Sequence, residues 1–199
     1  MAAIRITLIT LIAMIGLAFA WLAFEWSRSD AGRAQGPFGV AFELVDQTGS
    51  PINQVAFQEK PTALFFGFTH CPDVCPTTLF EMDAWLRRVD PDGDRINAYF
   101  VTVDPERDTH EILDTYISNV SDRIVGITGD PDQVFDMAKG YRVYFKKVPT
   151  DDSDPDGDYV MDHTASVYLL GDGGRFQGTI SYGEDADVAV KKLQNLIRG

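Results

Sequence analysis

The chain reads Ala63-Leu64-Phe65-Phe66-Gly67-Phe68-Thr69-His70-Cys71-Pro72-Asp73-Val74-Cys75-Pro76 where an apolar segment meets its only two cysteines. The apolar run predicts a β-strand buried on both faces, as in a parallel sheet. A C-x-x-x-C pair where a strand enters a helix places both thiols on one face of the first turn, because residues four apart are neighbours there. Both sulfurs can therefore reach one metal ion or each other.

Strand and helix patterns alternate around this segment, with apolar residues at helical spacing between the strand-like runs. The predicted helices are Thr77–Val89, Thr109–Val120, one that starts at the cap Asp130-Pro131-Asp132-Gln133, and Asp185–Arg198. The predicted strands are Val40–Val45, Ala63–Phe68, Ile96–Val103, Ile124–Ile127, Val143–Val148, Ser166–Leu170 and Arg175–Ile180, with a hairpin at Gly171–Gly174. This order predicts an α/β sandwich with a central mixed sheet flanked by helices.

The N-terminus carries a second signal, because no charged residue occurs from Ile6 to Phe24. Such a stretch is long enough to cross a bilayer as one transmembrane helix. Ala18-Phe19-Ala20 resembles a signal-peptidase site, so a cleaved secretory signal is the alternative, although the apolar run exceeds the usual signal core. We expect an N-terminal transmembrane anchor or signal over residues 1–25, a tether over 26–37 and one folded domain over 38–199.

Charge and cysteine usage restrict the partners and the compartment. The formal net charge of -13 argues against a nucleic-acid partner, because phosphate neutralisation needs a basic face. A cysteine pair suits an oxidising compartment, and no Arg- and Ser-rich presequence precedes the apolar segment. The sequence therefore predicts a single-pass protein of the bacterial cytoplasmic membrane, with the globular domain on the periplasmic side.

Three motifs carry a resemblance to a known family. They are the run Gly67–Pro76, which contains both cysteines, the run Thr102–Thr109, which reads T-V-D-P-E-R-D-T, and Asp162-His163-Thr164. Together they closely resemble the Sco/SenC family of membrane-anchored, thioredoxin-like copper proteins. The similarity covers the chain from about Pro37 to its end.

The resemblance implies a thioredoxin-like fold and a copper site made by Cys71, Cys75 and His163. It also implies a metallochaperone that helps to assemble the binuclear copper centre of cytochrome c oxidase. The implied partners are the copper-bearing subunit of that oxidase, an upstream copper donor and the membrane.

The chemistry of the three side chains fits this implication. Thiolates are soft ligands that select Cu(I) or zinc, and an added imidazole gives a set that suits both Cu(I) and Cu(II). Structural zinc normally needs a fourth ligand, and the chain has no third cysteine. A structural disulfide between Cys71 and Cys75 is the alternative, although a bridge closing so small a loop constrains the unfolded chain little.

The runner-up function is an extracytoplasmic thiol-disulfide oxidoreductase that reduces the cysteines of the target copper site, with Cys71 and Cys75 as its catalytic redox pair. Peroxide reduction through a sulfenic acid is a weaker option. Thioredoxin-like oxidoreductases typically carry C-x-x-C and a cis-proline. This chain has C-x-x-x-C and no proline after Pro155, which favours metal binding over enzymatic activity.

Three further polar groups have open roles. His70 is an alternative ligand beside Cys71. The residues from Asp104 to Asp108 follow a buried strand, where they either dock a partner and tune the copper site or form a capped, salt-bridged turn. The acidic run Asp152–Gly157 resembles the opening of a calcium loop, but its twelfth position falls on His163 instead of glutamate, so we do not expect calcium.

Overall fold

The computed structural model describes residues 6, 11–22, 24, 36–151, 153–154 and 157–199. The chain divides into two compact units, Met1–Gln35 and Gly36–Gly199. In the first unit, residues 11–22 are helical. The predicted span over 1–25 and the tether over 26–37 lie partly outside the described residues, and among those described no helix is long and apolar enough to cross a bilayer.

The second unit is built from alternating strands and helices. Its strands are β1 (Glu43–Asp46), β2 (Pro51–Asn53), β3 (Thr62–Gly67), β4 (Asn97–Thr102), β5 (Val125–Thr128), β6 (Phe145–Pro149), β7 (Tyr159–His163), β8 (Ser166–Gly171) and β9 (Arg175–Ser181). Its helices are α1 (Val74–Val89), α2 (His110–Ser118), α3 (Pro131–Gly140) and α4 (Ala186–Arg198).

Seven of these strands form the main sheet, in the order β2-β1-β5-β4-β3-β8-β9. The three central strands β3, β4 and β5 run parallel, and the outer strands pair antiparallel. Every residue of β3 is buried, which requires cover on both faces of the sheet. The α/β sandwich with a mixed sheet is therefore confirmed.

Packing of α1 explains why the cysteine segment is fixed. Its buried face is formed by Leu79, Met82 and Leu86 at helical spacing, and α1 packs on α4. The helix begins at Val74, three residues before the predicted start. Pro76 is tolerated there because N–H groups of the first turn have no intrahelical partner.

Most predicted elements lie within a few residues of the observed ones, and the difference at the first strand has a local cause. The first strand begins at Glu43 instead of Val40, because the preceding segment is held by other contacts, including a bond from the Phe42 amide to the Gln54 side chain. The predicted cap of α3 is present: the Asp130 carboxylate accepts the amides of the two residues that follow Pro131.

Strands β6 and β7 pair with each other, antiparallel, in a separate two-stranded sheet. Their register places Phe145 opposite His163 at one end and Pro149 opposite Tyr159 at the other. Met161 is buried and attaches this hairpin to the core. The hairpin was not predicted, since only β6 was expected there as a strand. It is the element that carries His163.

Candidate metal centre

The candidate centre lies at the carboxyl edge of the parallel strands, where sites in α/β folds usually form. The cysteine loop follows β3 and leads into α1. The hairpin of β6 and β7 contributes the third side chain from a position 88 residues after Cys75. Residues far apart in sequence therefore meet at one edge of the sheet.

The sulfur atoms of Cys71 and Cys75 and a ring nitrogen of His163 all lie within 4.8 Å of one another. The Cys75 Sγ is 3.4 Å from Nε2 of His163, and both cysteines are free, without a disulfide between them. The structure brings together the three predicted ligands. In the part of the chain that is described, no other histidine, cysteine or carboxylate joins this group as a fourth ligand.

Cys75 is completely buried in the first turn of α1, whereas Cys71 is half-buried in the loop before it. The Cys75 amide donates to the Cys71 sulfur over 3.3 Å. Space for the buried sulfur depends on Gly67, because a Cβ there would lie 2.9 Å from Cys75 Sγ. The strand end and the helix start thus set the distance between the two sulfurs.

The imidazole of His163 is oriented by the backbone carbonyl of the next residue and by two aromatic rings. Its Nδ1 lies 3.1 Å from the Thr164 carbonyl oxygen, which only accepts, so Nδ1 carries the proton and Nε2 keeps a lone pair towards Cys75. Phe65 and Phe68 pack edge-on to the ring, with centroids at 6.1 and 5.8 Å. Asp162 is exposed and does not supply this hydrogen bond.

The pKa values of the two cysteines are shifted in opposite directions. Hydrogen bonding from the Cys75 side chain lowers the pKa of Cys71 to about 4, against the opposing effect of its partial burial. The pKa of Cys75 is raised, because it donates to Cys71 and is buried. The apo pair therefore holds one thiolate and one thiol at neutral pH, and the thiolate is the more exposed sulfur.

This donor set has a clear metal preference. Two sulfurs and one imidazole nitrogen are soft to borderline ligands, which copper accepts in both oxidation states. A structural zinc site would normally use four ligands. The arrangement can also perform thiol exchange, since a low-pKa thiolate lies beside a second cysteine.

The remaining sequence candidates do not belong to this group. His70 is not grouped with the sulfurs; it lies near Asp104 and Asp108, with its Nδ1 3.8 Å from an Asp108 oxygen. Asp104 forms an ion pair with Arg107, so the salt-bridged turn is present. The acidic run Asp152–Gly157 lies partly outside the described residues.

Sequence reasoning missed how deeply the turn after β4 is buried. The side chains of Asp104 and Asp108 are fully buried, and Asp108 accepts three hydrogen bonds from threonines. The signal available in the sequence was the position of two aspartates just after a strand predicted to be buried. Buried carboxylates need hydrogen-bond partners, so such a position indicates a bonded turn.

Comparison with known proteins gives consistent matches. The mouse protein named SCO2 homolog, mitochondrial, is 34% identical over 200 residues, which cover 96% of this chain and 77% of that protein. A SCO2-like protein of Rickettsia prowazekii is 32% identical over 160 residues, covering 80% and 75%. The solved structure of Bradyrhizobium japonicum ScoI with copper bound is 43% identical, with a TM-score of 0.72, and covers 80% of this chain and 99% of that one.

The structural match identifies the α/β fold as thioredoxin-like. The family profile described as SCO1/SenC matches residues 30–198, which include all three motifs and all of the second unit except its last residue, Gly199. The predicted family resemblance is confirmed. The chain belongs to the SCO1/SenC family.

Proposed function

We propose that this chain is a copper-binding metallochaperone that delivers copper to the binuclear copper centre of cytochrome c oxidase during assembly. The observation that carries the proposal is the convergence of Cys71, Cys75 and His163 within 4.8 Å. The copper-bound structure of the Bradyrhizobium ScoI supports the same cargo.

The geometry suggests how each ligand acts. Cys71 is already a thiolate and is partly exposed, so it is the first ligand to meet an incoming ion and the first that a recipient's ligand can replace. Cys75 must lose its proton when metal binds, because the thiolate is the ligand form. The Nε2 lone pair of His163 completes the set without losing a proton.

The proposed location is the periplasmic face of a bacterial cytoplasmic membrane. The support is the uncharged segment from Ile6 to Phe24 and the cysteine pair, which suits an oxidising compartment. In this proposal residues 1–25 form a single-pass anchor, 26–37 a tether and 38–199 the copper-binding domain. A copper donor on the same side would load the site.

A thiol-disulfide oxidoreductase remains the second candidate, favoured by the low pKa of Cys71. The Cys71 thiolate would attack a partner disulfide and release one partner thiolate, which takes up a proton. Cys75 would then lose its proton and displace the second partner thiolate, leaving a Cys71–Cys75 disulfide. The partner gains two electrons and this chain loses two.

The deciding experiment titrates the reduced full chain, in detergent, with Cu(I) and with Cu(II) in competition with a chelator. We expect tight binding of one copper ion and no binding by the double Cys71→Ser, Cys75→Ser variant. His163→Ala should weaken Cu(II) binding by about tenfold or more. His110→Ala is the matched control, because that histidine lies at the start of α2 and outside the ligand group.

If the reduced wild-type chain retains no copper in either oxidation state, the metallochaperone proposal is wrong. If His163→Ala binds both ions as tightly as His110→Ala, the cysteines bind copper without the imidazole. The oxidoreductase candidate is tested with a disulfide-bonded peptide from the copper-bearing subunit of the oxidase. Turnover that requires both cysteines would support it, and absence of turnover would remove it.

A further inference from the structure

The five residues from Asp104 to Asp108, here called the 104–108 turn, lie between the two elements that carry the metal ligands. The turn follows β4 after one intervening residue, Val103. It is fixed to the main sheet because the Asp104 amide donates to Thr102 Oγ1 over 2.9 Å and Thr128 Oγ1 donates to the Asp108 carbonyl over 2.7 Å. Thr102 and Thr128 are the last residues of β4 and β5. The turn is therefore a rigid point at the edge of the sheet.

One end of the turn holds the cysteine loop. The buried Asp108 carboxylate accepts from Thr69 twice, from its hydroxyl over 2.6 Å and from its amide over 3.0 Å. The same carboxylate accepts from Thr102 Oγ1 over 2.6 Å. Thr69 precedes Cys71 by two residues, so these bonds fix the point from which the cysteine loop departs.

The other end of the turn holds the hairpin that carries His163. The Tyr159 hydroxyl donates to Asp104 over 2.7 Å, and Arg107 Nη1 donates to the Tyr159 carbonyl over 3.0 Å. The Arg107 guanidinium also stacks 3.8 Å above the centroid of the Tyr159 ring. Glu106 forms an ion pair with Lys147 of β6. Both strands of the hairpin are thus attached to the turn.

These contacts matter because β6 and β7 share no strand pairing with the main sheet. Side-chain contacts therefore help to set the orientation of the hairpin. The turn holds the hairpin at the Tyr159 end of β7, and His163 lies at the other end, with two residues between it and β8. The Arg107 side chain is mostly buried, and it both donates to and stacks on Tyr159. A planar guanidinium can donate from a fixed fork while it lies flat on the ring, whereas a lysine ammonium offers only a point charge.

We propose that the 104–108 turn positions the two halves of the metal centre relative to each other, with Asp108 holding the cysteine loop and Arg107 and Asp104 holding the hairpin that carries His163. The inference rests on the proposed copper site. Arg107 and Asp108 are positioning residues, and neither belongs to the group formed by the three ligands. Cutting the hairpin contacts should loosen the strand that carries the imidazole and leave the sulfur pair in place.

The test compares Arg107→Met and Tyr159→Phe with Arg87→Met as the matched control. Arg87 is also an arginine with carboxylate partners, but it lies about 18 Å along α1 from Cys75. The first readout is amide hydrogen exchange of the reduced, metal-free full chain. The hairpin amides of β6 and β7 should exchange at least about tenfold faster in Arg107→Met, with β3 amides unchanged.

The second readout is copper affinity of the same variants. Arg107→Met should weaken Cu(II) binding by about tenfold and Cu(I) binding by much less, because soft thiolates suffice for Cu(I) whereas Cu(II) depends more on the imidazole. Thr69→Val removes a hydroxyl that donates to Asp108, and it should weaken the binding of Cu(I) and of Cu(II) to a similar extent. This contrast separates positioning of the hairpin from positioning of the cysteine loop.

The proposal is overturned if Arg107→Met changes neither hairpin exchange nor Cu(II) affinity more than Arg87→Met does. If Arg107→Met fails to fold, Tyr159→Phe decides by the same criteria, because it removes only one hydroxyl. A wild-type chain without copper affinity would refute the proposed function. Hydrogen exchange in the hairpin would then still decide whether the turn holds it.

Discussion

Replacing Gly67 by alanine tests how tightly the end of β3 is packed against the sulfur pair. The added Cβ would lie 2.7 Å from a Phe100 ring carbon and 2.9 Å from Cys75 Sγ, whereas ordinary contact begins at 3.4 Å. The neighbours must therefore move by 0.7 Å (3.4 − 2.7) and 0.5 Å (3.4 − 2.9). Overpacking of a buried site on this scale costs about 1–3 kcal/mol of unfolding free energy.

The assays are urea and thermal unfolding of the reduced, metal-free chain, and copper titration of the same variants. A loss of about 2 kcal/mol corresponds to a fall in Tm of about 4–8 °C for a unit of this size. Displacement of Cys75 should also lower copper affinity by about tenfold. Gly36→Ala is the control, because nothing lies within 4 Å of its Cβ position. Equal stability and equal copper affinity in the two variants would refute the packing argument.

Other predictions concern the thiolate and one structural carboxylate. Iodoacetamide should alkylate Cys71 at a nearly constant rate between about pH 6 and pH 8, because its pKa is about 4; a rate that rises steeply up to pH 9 would contradict this. Because the folded pKa of Cys71 is depressed, the stability it contributes is complete above the ordinary thiol pKa of 9.0 and is lost as pH falls towards 4. The stability difference between wild type and Cys71→Ser in urea should shrink over that range. Asp90→Ala should cost about 3 kcal/mol in urea unfolding, because it removes a buried carboxylate that pairs with Arg123 and accepts the Ile96 amide; a loss below about 1 kcal/mol would contradict the role of this ion pair.

The central elements of the fold could be predicted because their patterns are dense and local. The apolar run of β3 and the helical spacing of Leu79, Met82 and Leu86 in α1 are strong signals over short windows. The cap at Asp130 is likewise a local signature. These elements place the cysteines at the carboxyl edge of the sheet, and the structure has them there.

The hairpin and the buried turn could not be read from the sequence in the same way. Strand β7 is short and follows an acidic loop. Its alternation of apolar and polar residues is therefore too brief to distinguish it from the loop that precedes it. The burial of Asp108 depends on Thr69, which lies 39 residues away in sequence. Such partners are set by tertiary packing, and no local pattern records them. The family resemblance supplied His163, whereas the residues around it gave no independent signal.

The separate two-stranded sheet has a consequence for how the site can open. A β-ribbon outside the main ladder can detach by local unfolding at a free-energy cost below that of global unfolding. The imidazole can then withdraw while α1 and β3 keep the two sulfurs in register. An ion can therefore bind at this site without disturbing the core, since only the ribbon has to move.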